Sequence, residues 1–451
     1  MKKFTSSILV LCLIVVGFLF VGCGETDKEI ILTGGPAYEE NVYGNGGYAV
    51  SKGDYVYFTD AYFKLSSASS DTKSTLISGD VSETGIYRAK MTTEIIAEVE
   101  TPVLSEVQLM VKKSVGTENC GLYIFKDKLY FGTPTTQSDS SGVRYDLITF
   151  YSCNLDGSNV KKLYQTESFN NGKYSMTMID KNVYLMVYTG NDIILVTENG
   201  DSKKIATNVT GTILPTRTNV TNNDENPSSI NCFIYYTKAK EKVDGLDNGN
   251  TLYKFDIKSG KVSTVYEEDK ISIGLLTLEG DRLFYTRNEL IGSVSITSVY
   301  SNTLDGEFKI NEIKHLSDSS LSIVPLGIKD GNNLGFAYLN GADKIIIKNL
   351  NGTDGEIIDS DVTSIITARN GYIYYVKENE NNKNNYIYRR SLTDTTEQEV
   401  KLSGALKIKT DFFDIDEDFF YFFAEDTTKS TKTSLYRVDL DSSDKTPVKM
   451  A

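Results

Sequence analysis

The chain has no tryptophan, one histidine, seven prolines and five cysteines in 451 residues, and each shortage narrows what the protein can be. The single imidazole, His315, lies in Glu312-Ile313-Lys314-His315-Leu316. That segment reads as an outermost strand, where the ring is expected to be an exposed edge residue. Ser-His-Asp and Cys-His devices need their imidazole beside the nucleophile, so both are excluded. Zinc sites draw on several histidines or cysteines, and no cysteine pair here has ligand spacing, so no metal and no cofactor are expected.

Cysteine is as sparse. Cys12 and Cys23 belong to the N-terminal segment, leaving Cys120, Cys153 and Cys232. Cys120 precedes an inner strand and Cys153 ends a third one, two strand spacings or about 9 to 10 Å apart, beyond the roughly 7 Å that a disulfide spans. Three buried free thiols are expected. Positive charge is the minority sign: 47 Lys and Arg face 61 Asp and Glu, a net of −14. A surface of that sign repels nucleic acid and other polyanions, so no nucleic-acid partner is expected.

Aromatic residues other than tryptophan are plentiful, with 29 Tyr and 20 Phe. They fall in runs centred on Tyr57, Tyr130, Tyr184, Tyr235, Phe284, Phe336, Tyr374 and Tyr421, roughly 40 to 75 residues apart, the period of propellers and other arrays. Runs such as Tyr55-Val56-Tyr57-Phe58 and Phe419-Phe420-Tyr421-Phe422 place bulky β-formers on both faces of a strand, which implies a sheet packed on both sides. A second run follows in each repeat, at Ile86-Tyr87, Phe150-Tyr151, Leu252-Tyr253, Val299-Tyr300, Ile387-Tyr388 and Leu435-Tyr436, with Ile193-Ile194 and Ile346-Ile347 as weaker copies. Turns such as Leu155-Asp156-Gly157 and Lys258-Ser259-Gly260 then close the hairpin to the outermost strand. The expected fold is all-β: a single β-propeller of four-stranded antiparallel blades, about eight of them, or seven if the degenerate sixth copy, Leu334 to Leu350, merges with a neighbour.

The N-terminus predicts location. Lys2 and Lys3 form a positive n-region, Ile8 to Val21 an uncharged apolar h-region, and Phe20-Val21-Gly22-Cys23 a small-residue site ending in cysteine. This resembles a lipoprotein signal peptide. The expected organisation is a signal over 1–22, a lipidated Cys23 and tether over 23–43, and the propeller over 44–451, anchored outside the bacterial cell membrane through the N-terminal lipid. Loss of Lys2 and Lys3 would take the formal charge from −14 to −16.

Within each repeat the insertions recur at one position. The connections from the second to the third strand, Ala61 to Gly85, Thr133 to Asp146, Lys238 to Asn250, Arg287 to Ser295, Lys377 to Asn385 and Ala424 to Ser434, are long, whereas first-to-second turns such as Lys126-Asp127-Lys128 are short. Strand directions alternate, so one face of the disc carries all the long connections and the other is expected to be smooth. Binding residues concentrate on such loops. The candidates on that face are Tyr62, Phe63, Arg144, Tyr145, Tyr188, Lys240, Arg287 and Lys377, because aromatic and basic side chains anchor partners. The acidic stretches Asp244 to Asn250 and Asp411 to Asp418 lack the spacing of a helix-loop-helix calcium site.

Tyr57-Phe58-Thr59-Asp60, Tyr235-Tyr236-Thr237 and Phe284-Tyr285-Thr286 resemble the Tyr-Trp-Thr-Asp signature of low-density-lipoprotein-receptor-like propellers, and Asn154-Leu155-Asp156-Gly157-Ser158-Asn159 resembles their Leu-Asp-Gly-Ser-Asn turn. The opening Gly44-Asn45-Gly46-Gly47-Tyr48-Ala49 followed by Gly53-Asp54-Tyr55-Val56-Tyr57-Phe58 is similar to an uncharacterised bacterial family of surface lipoprotein propellers. The resemblance covers residues 44 to 449 and implies a propeller with a cell-surface role; it carries over no catalytic residue. The expected function is a non-catalytic binding module for a protein, peptide or glycan. The alternative is a carbohydrate-active enzyme using paired carboxylates near the central channel.

Overall fold

The computed structural model describes most of residues 42–450; residues 1–41 and 451 and stretches within connections, the longest being 64–84 and 215–232, are left out. Among the described residues every regular element is a strand. Eight antiparallel four-stranded sheets follow one another along the chain, each built from one contiguous segment. Blade 1 runs from Ala49–Lys52 to Val99–Lys112, blade 2 from Tyr123–Phe125 to Lys161–Gln165, blade 3 from Lys173–Ile179 to Ser202–Ala206 and blade 4 from Val209–Ile213 to Val262–Glu267. Blade 5 runs from Ile271–Glu279 to Ile313–Leu316, blade 6 from Ile323–Pro325 to Asp354–Asp359, blade 7 from Val362–Arg369 to Val400–Lys401 and blade 8 from Lys407–Ile408 to Val448–Lys449. The sixth repeat is thus a blade of its own, and the ring is an eight-bladed β-propeller.

Aromatics on both faces of the second strand pack the ring in both directions. Tyr57, Tyr235 and Tyr374 join the apolar cluster shared with the following blade, and Tyr236, Tyr375 and Phe422, one residue later in the repeat, join the cluster shared with the preceding one. A buried apolar cluster lies between each blade and the next, including blade 8 and blade 1, where Tyr421, Phe423 and Leu435 meet Tyr48, Val56 and Phe58. On the backward-facing side the aromatic of the second strand lies directly opposite a tyrosine of the third, as in Phe58/Tyr87, Tyr236/Tyr253, Tyr285/Tyr300 and Tyr375/Tyr388, and the rings stack 5.5 to 6.2 Å apart. Such pairs add about 0.5 to 1.5 kcal/mol each beyond burial.

The forward-facing side repeats a second device. The residue after each of three of those tyrosines is an arginine, and its guanidinium lies over an aromatic at the start of the second strand: Arg88 over Tyr55 at 4.7 Å, Arg389 over Tyr372 at 4.3 Å, Arg437 over Phe419 at 4.5 Å. Two of them reach into the next blade, where Arg88 donates to the Leu155 carbonyl at 3.4 Å and Arg389 to that of Leu440 at 2.8 Å.

Among the described residues no strand is exchanged between the first and last blades. Side chains close the ring instead: Asp414 accepts from Asn45 Nδ2 at 2.8 Å and from the Ala49 amide at 3.2 Å, and Asp416 accepts from the Ser51 amide at 2.6 Å. The close approach needs a glycine at position 47, where a Cβ would lie 2.0 Å from the Asp414 carboxyl carbon. Just before this turn, Val42–Tyr43 adds an inner fifth strand to blade 2, with Val42 opposite Phe125, beside the Lys126-Asp127 turn. The chain therefore enters the ring from the face that carries the first-to-second turns.

His315 corrects an expectation. It lies on the outermost strand of blade 5 but is only 6% exposed, packed against Phe284 and against Phe336 of blade 6, and bonded to Ser301 at 2.8 Å. An outer strand of a propeller has one side turned to the neighbouring blade, and His315 is on that side. Cys153 is a buried thiol with no disulfide, while Cys120 and Cys232 lie outside the described residues.

Candidate functional site

Strand direction sorts the connections into a turn face, with the first-to-second and third-to-fourth turns, and a loop face, with the second-to-third connections. The turn face is not smooth. In blade 1 the hairpin Gly85–Ile96/Val99–Lys112 stays paired as far as Ile96 and Val99, whereas the second strand accompanies it only to Lys90, so a two-stranded ribbon projects beyond the disc. Its Ile95 is 76% exposed.

On the loop face several expected loops are continued strand. Arg287 to Ser295 lies within the paired strands Arg282–Ile291 and Val294–Thr303, because the β-formers around its tip sustain the ladder to Ile291 and Val294. Lys377 is in the strand Tyr372–Glu378, Tyr188 ends the strand Asn182–Tyr188, and Tyr62–Phe63 form a short strand parallel to Gly116–Thr117. Nothing is described of the Tyr62 and Phe63 side chains, and Arg144, Tyr145 and Cys23 lie outside the described residues.

The three basic candidates among the described residues, Lys240, Arg287 and Lys377, are each held by carboxylates of the chain itself. Lys240 Nζ lies 2.8 Å from Asp269 and 3.7 Å from Glu267. Arg287 lies 2.7 Å from Glu312 and 2.5 Å from Glu289, with its guanidinium 4.3 Å above the Tyr300 ring. Lys377 lies 2.9 Å from Asp359, on the outer strand of blade 6, and 2.7 Å from Glu399. Blades 5 and 7 share one design, for Tyr285 donates to Glu312 as Tyr375 donates to Asp359 and Glu399. Burial and these carboxylates push both phenols far above their usual range. Burial opposes the Lys377 charge, but Glu399 and Asp359 more than offset it and hold the ammonium pKa above its ordinary value. These cations clamp strand ends and blade edges rather than standing open to an anion.

Apolar side chains also stand open on this face, and the candidate set omitted them. Val243 and Leu246 face each other across a two-residue hairpin, Leu246 donating to the Val243 carbonyl at 2.9 Å with Asp244 and Gly245 at φ 52° and 77°. They are 55% and 66% exposed, and Val294 and Ile296, on the projecting hairpin of blade 5, are 59% and 40% exposed. The Asp244-Gly245 dipeptide between apolar neighbours is the sequence signal for such a turn. The loop is pinned to blade 5: the Lys270 amide donates to the Asn248 carbonyl at 3.1 Å, and Gly249 bridges Ile271 so closely that a Cβ would lie 2.0 Å from its carbonyl oxygen.

Two carboxylates on the inner side of blade 8 are committed to the seam with blade 1. Asp414 is fully buried, which pushes its pKa up, and its two oxygens take Asn45 and Ala49, while Asp416 takes Ser51. Among the described residues no group of three metal-ligating side chains occurs.

No protein-family model matches the chain, and no curated protein matches it. Solved structures do. The acylaminoacyl peptidase of Pyrococcus horikoshii is 16% identical, over 72% of this chain and 51% of that one, with a TM-score of 0.43; this chain spans about half its length. The β-propeller domain of the Trilobed protease from Pyrococcus furiosus is 12% identical over 89% and 95%, with a TM-score of 0.39. A eukaryotic initiation factor is 9% identical over 92% and 90%, with a TM-score of 0.43. Likeness at this level concerns fold alone.

Proposed function

We propose that the chain is a non-catalytic binding module, tethered outside a bacterial membrane through a lipid on Cys23, that recognises a protein, peptide or glycan with its loop face. The observation that carries the reading is the Lys240–Asn250 connection, a closed hairpin pinned to the next blade that presents exposed apolar side chains. Rigid loops of this kind lose little conformational freedom on binding.

Two measurements test this. Cys23→Ala is expected to release the protein from membranes; a variant that stays membrane-bound at unchanged mass would replace the lipid by an uncleaved span. Thermal unfolding against wall glycans, peptides and nucleotides is expected to show stabilisation of about 2.7 kcal/mol at 100 times the dissociation constant for the recognised class, without turnover.

A further inference from the structure

We infer that the loop face over blades 4 and 5 is a docking site for a polypeptide segment carrying basic residues beside apolar anchors. The inference rests on the loop-face reading above and narrows it to one patch. Its floor is continuous: Gly249 bridges Ile271, Ile271 lies opposite Glu289, and Glu289 lies opposite Ile296, so the blade 4 loop and the blade 5 hairpin belong to one row. Three strand spacings put Gly249 and Ile296 roughly 14 Å apart, about the length of four extended residues. At one end stand Val243 and Leu246, at the other Val294 and Ile296, all well exposed. An exposed apolar cluster on a rigid frame marks an interaction surface more often than an isolated exposed leucine does.

The rim sets the partner's charge. Glu241, Asp244, Asp247, Glu267, Glu268 and Asp269 surround the hairpin and outnumber Lys240, Lys242 and Lys270, and Lys240 is already matched by Glu267 and Asp269. The field over the patch is negative, as is that of the whole chain. It attracts a basic segment and repels nucleic acid and anionic lipid. Aliphatic anchors without an aromatic plane suit the apolar side chains of a polypeptide.

The test uses the full chain in detergent and a displayed library of random twelve-residue peptides. Enriched peptides are expected to combine Lys or Arg with Leu, Ile, Val or aromatic residues and to bind more weakly as salt rises. Their affinity is expected to fall at least tenfold in Leu246→Asp and in Val294→Asp, and to be unchanged in Ile95→Asp, an equally exposed site on the turn face. All three positions are exposed, so melting temperatures should stay put. Enrichment of nothing, enrichment of peptides without basic residues, or binding that survives both loop-face variants would overturn the inference. Binding lost in Tyr188→Asp but not in those variants would sink the patch and leave the loop-face reading standing, whereas binding lost only in Ile95→Asp would sink both.

Discussion

Single side chains in this ring acquire their roles from the neighbouring blade. His315 is pressed between Phe284 and Phe336, and burial, followed by the nearby Arg282 and Lys348 charges, lowers its pKa from 6.5 to about 4. The unfolded chain takes up this proton near pH 6.5 and the folded chain does so only near 4, so stability is full above 6.5 and declines as pH falls to about 4. The loss should reach roughly 3 kcal/mol, read as the difference between denaturant titrations of the native protein and His315→Phe over that range. The arginines make a second contrast. Arg389→Met removes a hydrogen bond to blade 8 and should cost about 1 to 3 kcal/mol. Arg437 is 1% exposed, yet its Nη1 and Nη2 find no acceptor among the described residues, so Arg437→Met should be within about 1 kcal/mol of the native protein or more stable. Nothing in the sequence separates these two arginines, since both follow a tyrosine in the same strand. Only the identity of the adjoining blade does.

Strands were more legible than their limits. Consecutive aromatics at Tyr55 to Phe58 or Tyr372 to Tyr375 can only be buried if both sheet faces are covered, so the blades followed from residue type, while the weak sixth copy left their number between eight and seven. The polar tip of the blade 5 hairpin was less so, because Arg287, Asn288 and Glu289 read as loop while the backbone ladder runs through them. Of the candidate site, the spacing of insertions assigned the long connections to one face, and strand direction does put the second-to-third connections on one side of the disc. The open apolar side chains there were passed over: lysine and arginine invite a ligand on paper, whereas all of their carboxylate partners but Glu289 lie 18 to 29 residues away in the chain. The seam between blades 1 and 8 tests element pairing directly. Asp414→Ala or Asp416→Ala should cost about 1 to 3 kcal/mol and speed hydrogen exchange at Ala49 and Ser51, while Asp414→Asn, which keeps an acceptor oxygen, should recover part of it.

At the scale of the whole molecule, the ring is a row of nearly self-sufficient units joined once end to end. Seven of the eight junctions connect segments adjacent in the chain. The eighth joins residues 365 to 370 positions apart. A ribosome therefore releases each blade in working order, one beside the last, until the growing protein is an open arc. Its two ends, Tyr48, Val56 and Phe58 on the first blade and the newest blade's leading side, stay wet and apolar until residue 450 has emerged. Contacts of such separation form slowly, and an arc with two greasy ends has another arc as its readiest wrong partner. The stretch that must wait longest for its match is Asn45 to Ser51, among the first described residues to be synthesised, so a chaperone bound there would guard a surface that cannot bury itself until blade 8 has been made.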